Sequence, residues 1–236
     1  MANYSIGVLY LNPGKRSIFV KSRGSNMANI SRASVISGDI IGSSQLKPAS
    51  RKKLQQLLSL FFEGTTLEWH DMQAQQYRGD SIQITLTVNR LAALRIALLL
   101  QTCLIKDNFK IRLAIGIGDI YFNSGEVITS DGSAFQASGP YLDALTKSGE
   151  MISIAAFDEE FTSEWQVHSA SLNYILERLT QQQAEAVYLQ LQDHTQASIA
   201  KKLKIKQPSV HQRLQAAGWP VVQKILNRFE SVIPMV

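Results

Sequence analysis

The chain is poor in the residues that build most metal and redox centres. It has one cysteine, Cys103, and four scattered histidines, His70, His168, His194 and His211. One cysteine excludes an internal disulfide framework and fits a reducing cytoplasm, the expected location. Four dispersed imidazoles argue against a histidine-rich metal site within one chain. Long apolar runs are also missing. The longest, Leu91 to Ile105, is interrupted by Arg95 and Gln101 and is too short to span a bilayer. The first residues lack the apolar core of a signal peptide. No membrane partner is expected.

What is present suits a folded protein of one large domain or two modest ones, since 236 residues bury a sizeable core. The net charge of +5 is unevenly spread. Residues 1–30 hold four basic side chains and no acid, and residues 171–236 hold eight basic and four acidic ones. The stretch between them is mildly acidic. Such asymmetry points to modules with different partners.

Residues 1–30 read as an extension. YSIGVLYL and RSIFVKS have the form of two strands around the turn NPGK. Met27 precedes Ala28 as Met1 precedes Ala2, and is the expected natural start. A cleaner pattern begins at Ala33. ASVIS is a short apolar strand left through the turn GDIIGSS. Ser50 is placed to cap a helix, RKKLQQLLSLFF, with Leu54, Leu57, Leu58 and Phe61 on one face. Thr66–Tyr77 and Ser81–Thr87 alternate around Gly79-Asp80, a hairpin signature in which Gly79 takes positive φ. RLAALRIALLLQTCLI is apolar all round and is expected to pack on a sheet. FKIRLAIGIGDIYF alternates Ile111, Leu113, Ile115 and Ile117, and its Gly116 and Gly118 permit close approach to the backbone. PYLDALTK reads as a short helix with Pro140 in its first turn, and MISIAA as a last strand.

The order is strand, helix, strand, strand, helix, strand, helix, strand. It predicts an α+β fold: a ferredoxin-like βαββαβ sheet, with helices on one face, over residues 31–165. Residues 171–236 carry helical patterns and no strand signal. QASIAKKL and QPSVHQRLQAAG have helix-turn-helix spacing, with Thr195 as cap, LKIK as the turn and Pro208 in the second helix's first turn. Ile199, Ala200, Leu203, Val210 and Leu214 face inward. Lys201, Lys202, Lys204 and Lys206 crowd the turn, and Gln207, Ser209, Gln212 and Arg213 are the side-chain types that meet phosphates and base edges. DNA is the expected partner of this unit, bound by a homodimer; the alternative is a helical bundle that binds protein or caps the sheet.

GDIIGSS, YRGDSIQ, RLAIGIGDI and ITSDGSAFQASG together resemble the SatD-like family, whose main domain is similar to the class III nucleotide cyclase and GGDEF fold. The resemblance covers roughly residues 30–155 and the C-terminal helix-turn-helix. It implies a site for Mg²⁺ (or Mn²⁺) on Asp39 and Asp80, completed by the backbone carbonyl of Ile40. Carboxylate oxygens suit Mg²⁺, which shares its shell with substrate phosphates. Around it, Gly42, Ser43, Arg78, Gly132 and Ser133 are candidate nucleotide-binding residues. Asp is equally a turn residue that bonds its own backbone, and SDGSAF is equally a plain connection.

One departure bears on activity. Cyclases carry an Asn and an Arg on the helix after the fourth strand, where GPYLDALTK offers Asp143 and Lys147. Lys does not reproduce the bidentate Arg clamp. Two functions therefore stand from the sequence: a DNA-binding regulator that senses a nucleotide with Mg²⁺, or a nucleotidyl cyclase or related phosphoryl-transfer enzyme. A pure interaction module is a third.

Overall fold

A computed structural model describes residues 29–77, 79–122 and 132–233. The expected extension strands and Met27 lie outside the described residues, as does Arg78. The elements run β1 (Asn29–Ile40), α1 (Pro48–Glu68), β2 (Gln73–Tyr77), β3 (Ser81–Leu86), α2 (Ala93–Ile105), β4 (Ile111–Phe122), α3 (Ser133–Ser148) and β5 (Ile152–Ala156). They continue as α4 (Glu159–Arg178), α5 (Gln181–Leu191), α6 (Gln196–Leu203), α7 (Gln207–Ala216) and α8 (Trp219–Val232). The fold is α+β, with the sheet in the N-terminal part and a helical C-terminal region.

The sheet order is β2-β3-β1-β4-β5. β2, β3, β1 and β4 are antiparallel in the ferredoxin-like order, and β5 adds parallel to β4. Helices cover both faces, not one. Ser34, Ile36 and Ile40 of β1 point toward α1 and α2, while Ala33, Val35 and Ser37 point toward α3. Because strand side chains alternate, a strand buried on both sides reads as a continuous apolar run, and ASVIS is such a strand. Gly116 and Gly118 allow the second layer. A Cβ on Gly116 would meet the Ala134 carbonyl and Ser138 nitrogen, and one on Gly118 the Ser133 hydroxyl.

Three boundaries differ from expectation. α1 begins at Pro48, with Lys47 rather than Ser50 at its cap; the fixed φ of Pro48 pre-forms that first turn. α1 also runs on through Thr65 and Thr66, whose hydroxyls donate to the Phe61 and Phe62 carbonyls at 2.5 and 2.8 Å, so the hairpin's first strand starts at Gln73. α3 starts at Ser133, which puts Pro140 inside the helix. Packing of the preceding turns on the strand glycines outweighs the bond that Pro140 removes.

α2 is buried along almost its whole length. One side meets the sheet. The other side, with Leu98 and Thr102, meets Leu176, Val187, Ala217 and Val222 across a void of about 10 Å³, scarcely room for one water. All-round apolarity thus marks a helix between two layers. Arg95 reinforces this seam: Nη1 donates to the Leu191 carbonyl at 3.0 Å, and Nη2 lies 3.4 Å from Glu230.

The outer edge of β5 is closed by side chains of α4. Thr162, Gln166, Ser169 and Asn173 form one helical stripe. Gln166 Nε2 donates to the Ile154 carbonyl at 3.0 Å, and the Ile154 N–H donates to Ser169 at 3.1 Å. Asn173 Oδ1 accepts from Met151 and Ile152 at 2.8 and 2.9 Å, while Nδ2 donates to the Ile152 carbonyl at 2.9 Å. Thr162 pairs with both backbone groups of Ala156. An exposed strand edge invites pairing with another chain, and this helix removes it.

Candidate functional site

Asp39 lies near the end of β1, opposite Ser81 on β3 and Arg112 on β4. Its Oδ2 accepts from Arg112 Nη1 at 3.0 Å, with the two side chains 30% and 16% exposed. Asp39 Oδ1 and Arg112 Nε are both buried without a hydrogen-bond partner. Unsatisfied buried polar atoms are costly, so this pair retains capacity for a further ligand.

Asp80 sits in the β2–β3 turn, after Gly79 at φ 82°. Its carbonyl accepts from the Ile40 N–H at 3.1 Å, and its Oδ2 accepts from the Ser43 hydroxyl at 2.7 Å. The start of α1 supports this turn: Gln55 donates to the Gly79 carbonyl at 3.1 Å and Arg51 to the Ser43 carbonyl at 3.4 Å. Gly42, left-handed at φ 71°, turns the chain out of β1. Asp39, Ile40, Gly42, Ser43 and Asp80 are therefore gathered at one end of the sheet.

Gly132 and Ser133 are not in that group. They start α3 beside Asp119, and Ser133 Oγ accepts the Asp119 N–H at 2.8 Å. Asp119 is seven residues along β4 from Arg112, about 23 Å at strand spacing. Asp143 and Lys147 are exposed on α3. Among the described residues there is no cluster of three or more His, Cys, Asp or Glu placed to hold a metal. In donor type, the two aspartates, with the unfilled Oδ1 of Asp39, fit a hard cation such as Mg²⁺.

The helix-turn-helix follows its expected chemistry. Thr195 accepts from the Ser198 N–H at 3.2 Å, and α6 ends at Lys204 in the left-handed region, φ 54°. The Ile205 N–H returns to the Ala200 carbonyl at 3.0 Å. Ile199, Ala200, Val210 and Leu214 are buried. Lys201, Lys202, Lys204 and Lys206 are all exposed, as are Gln207 and Gln212; Ser209 and Arg213 are half-buried.

Residues 169–217 match Sigma-70, region 4. That is a helix-turn-helix, DNA-binding type of domain, and the match spans the end of α4 through α7. Among solved structures, the chain is similar to a bacterial light-regulated adenylyl cyclase, at TM-score 0.39 and 15% identity over 53% of this chain and 76% of that one. It is also similar to the guanylyl cyclase Cya2, at TM-score 0.38 and 16% identity over 54% and 76%. The adenylyl cyclase CyaB from P. aeruginosa gives TM-score 0.36 and 15% identity over 50% and 74%. None of the curated proteins matches the chain. Among the described residues no helix is long and apolar enough to cross a membrane.

Sequence reasoning missed several residues at these sites. Arg112 was visible as one of two charged side chains in β4, with Asp119, but its pairing depends on register. His211 and Gln215 extend the outward face of α7, at four and eight residues from Gln207. The helical repeat alone was enough to find them.

Proposed function

We propose that this chain is a cytoplasmic, homodimeric DNA-binding regulator whose sheet domain takes up a nucleotide with Mg²⁺. This keeps the resemblance to the SatD-like family. One observation carries the DNA half: the region matching Sigma-70, region 4 presents α7 beside four exposed lysines. Lysines neutralise phosphates without regard to sequence, while Gln207, Gln212 and Arg213 on α7 supply base-edge donors and acceptors. Lys204, Lys206 and Ser209 position the helix on the backbone.

For the sheet domain, Asp39, Asp80 and the Ile40 carbonyl would hold the cation, which when bound neutralises phosphate charge. Gly42 and Ser43 would face the phosphates, and Arg78 remains a candidate from the sequence. Gly132 and Ser133 stand apart from this group within one chain. Bound DNA is expected to sense the dimer's geometry, because paired helix-turn-helix units read half-sites at fixed spacing.

The test is a gel shift at physiological salt with Gln207→Ala/Arg213→Ala, alongside thermal shifts with each nucleoside triphosphate and Mg²⁺. The double variant should lose specific DNA binding, and Asp80→Ala should lose the nucleotide response. Unchanged DNA affinity in the double variant overturns the first half. The same incubations reveal any cyclic product, which would favour the enzyme reading instead.

A further inference from the structure

A second cleft adjoins the Asp39 site and shares Arg112 with it. It encloses about 390 Å³ between the ends of β1 and β4, the α3–β5 connection and α4. Its lining carries two cations, Lys110 and Arg112, the second already paired with Asp39, and two acids, Glu150 and Glu177, with Ile41 and Met151 adding apolar surface. Neither acid pairs with either cation. Glu150 accepts from Ser148 at 3.2 Å, and Glu177 pairs with its neighbour Arg178 at 3.3 Å. Among the described residues no ion pair joins these cations to these acids.

Lining side chains of both signs that do not pair with one another suit a molecule carrying both charges. We propose that the cleft binds a small zwitterion of amino-acid type. Its carboxylate lies toward Lys110 and Arg112, and its ammonium toward Glu150 and Glu177. The volume falls within the range of small-molecule pockets and suits a ligand of one or two residues. Ile41 and Met151 receive its apolar part. Asn173, also in the cleft, is the side chain that fastens α4 to β5, so the occupant rests against the helix that leads into the region-4 match.

The experiment is a thermal-shift and calorimetric panel on the full chain. It uses the free amino acids, succinate and inorganic phosphate, on wild type, Glu177→Gln, Lys110→Ala and Asp80→Ala. Both cleft substitutions are at exposed side chains and should leave the fold intact. At least one amino acid should raise Tm by roughly 5 °C at saturation. Affinity should fall about tenfold in both Glu177→Gln and Lys110→Ala and be unchanged in Asp80→Ala. No shift with any amino acid overturns the inference. So does an equal shift with succinate or phosphate, or a response lost in Asp80→Ala. Because nucleotide plays no part in this assay, failure of the nucleotide reading leaves the result standing.

Discussion

Asp39 Oδ2 and Arg112 Nη1 meet at 3.0 Å across the β1–β4 ladder, each side chain also leaving one buried atom unpaired. Removing one partner of a largely buried ion pair strands the other's charge. Arg112→Ala should therefore cost about 2–3 kcal/mol in urea unfolding. Arg112→Ala/Asp39→Ala should cost less than the sum of the single variants, and strict additivity would show that the pair is not coupled.

Asp71 governs the entry to α2 in a pH-dependent way. Burial opposes its charge, but the Asn89, Thr87 and Val88 N–H groups and the Asn89 side chain outweigh this and hold its carboxyl below the ordinary range. A depressed folded-state value means stability that is fully present above the unfolded value and lost as pH falls through the folded one. Asp71→Asn should cost about 1–3 kcal/mol at pH 7. That difference should shrink below about pH 4. A constant difference across the acid limb of a stability profile would refute the assignment.

Asn173→Ala should free the Met151 and Ile152 N–H groups and the Ile152 carbonyl together. A loss of about 2–3 kcal/mol is expected, with faster hydrogen exchange at those two amides. Should the exchange rates stay at wild-type values, α4 is not what protects the edge.

Gly116→Ala tests the closeness of α3 to β4. Its Cβ would meet backbone atoms of Ala134 and Ser138, which cannot swing aside as a side-chain tip does. A loss of about 1–3 kcal/mol is expected, whereas Gly64→Ala on the open face of α1 should be neutral or stabilising. Equal Tm values for the two variants would contradict this packing.

Lysine substitutions should act on salt dependence rather than on sequence preference. Lys204→Ala and Lys206→Ala should each reduce the log–log salt slope of DNA binding by about one. Gln212→Ala should instead relax discrimination at one base position with the slope unchanged. Identical slopes in the lysine variants and wild type would remove them from the interface.

Local chemistry made much of the fold readable. The Gly79-Asp80 turn, the Thr195 cap and the inward Ile199, Val210 and Leu214 each depend on residues close in sequence, and each is found as expected. What escaped depends on distant partners. Thr162, Gln166, Ser169 and Asn173 look like the solvated side of a helix until β5 is laid beside them. Arg112 meets Asp39 only because of the β1–β4 register. Pro140 resembles a helix start, and only the strand glycines reveal that α3 has begun earlier.

The seam along α2 has a practical consequence for anyone wishing to dissect the protein. Leu98 and Thr102 are sheltered by Leu176, Val187 and Val222, so excising the last third of the chain would leave a greasy ridge in water. The remaining fragment should clump rather than behave as a free-standing half. Helices α4, α5 and α8, which carry α6 and α7, are less a detachable mount than the back wall of the room in which the sheet is housed.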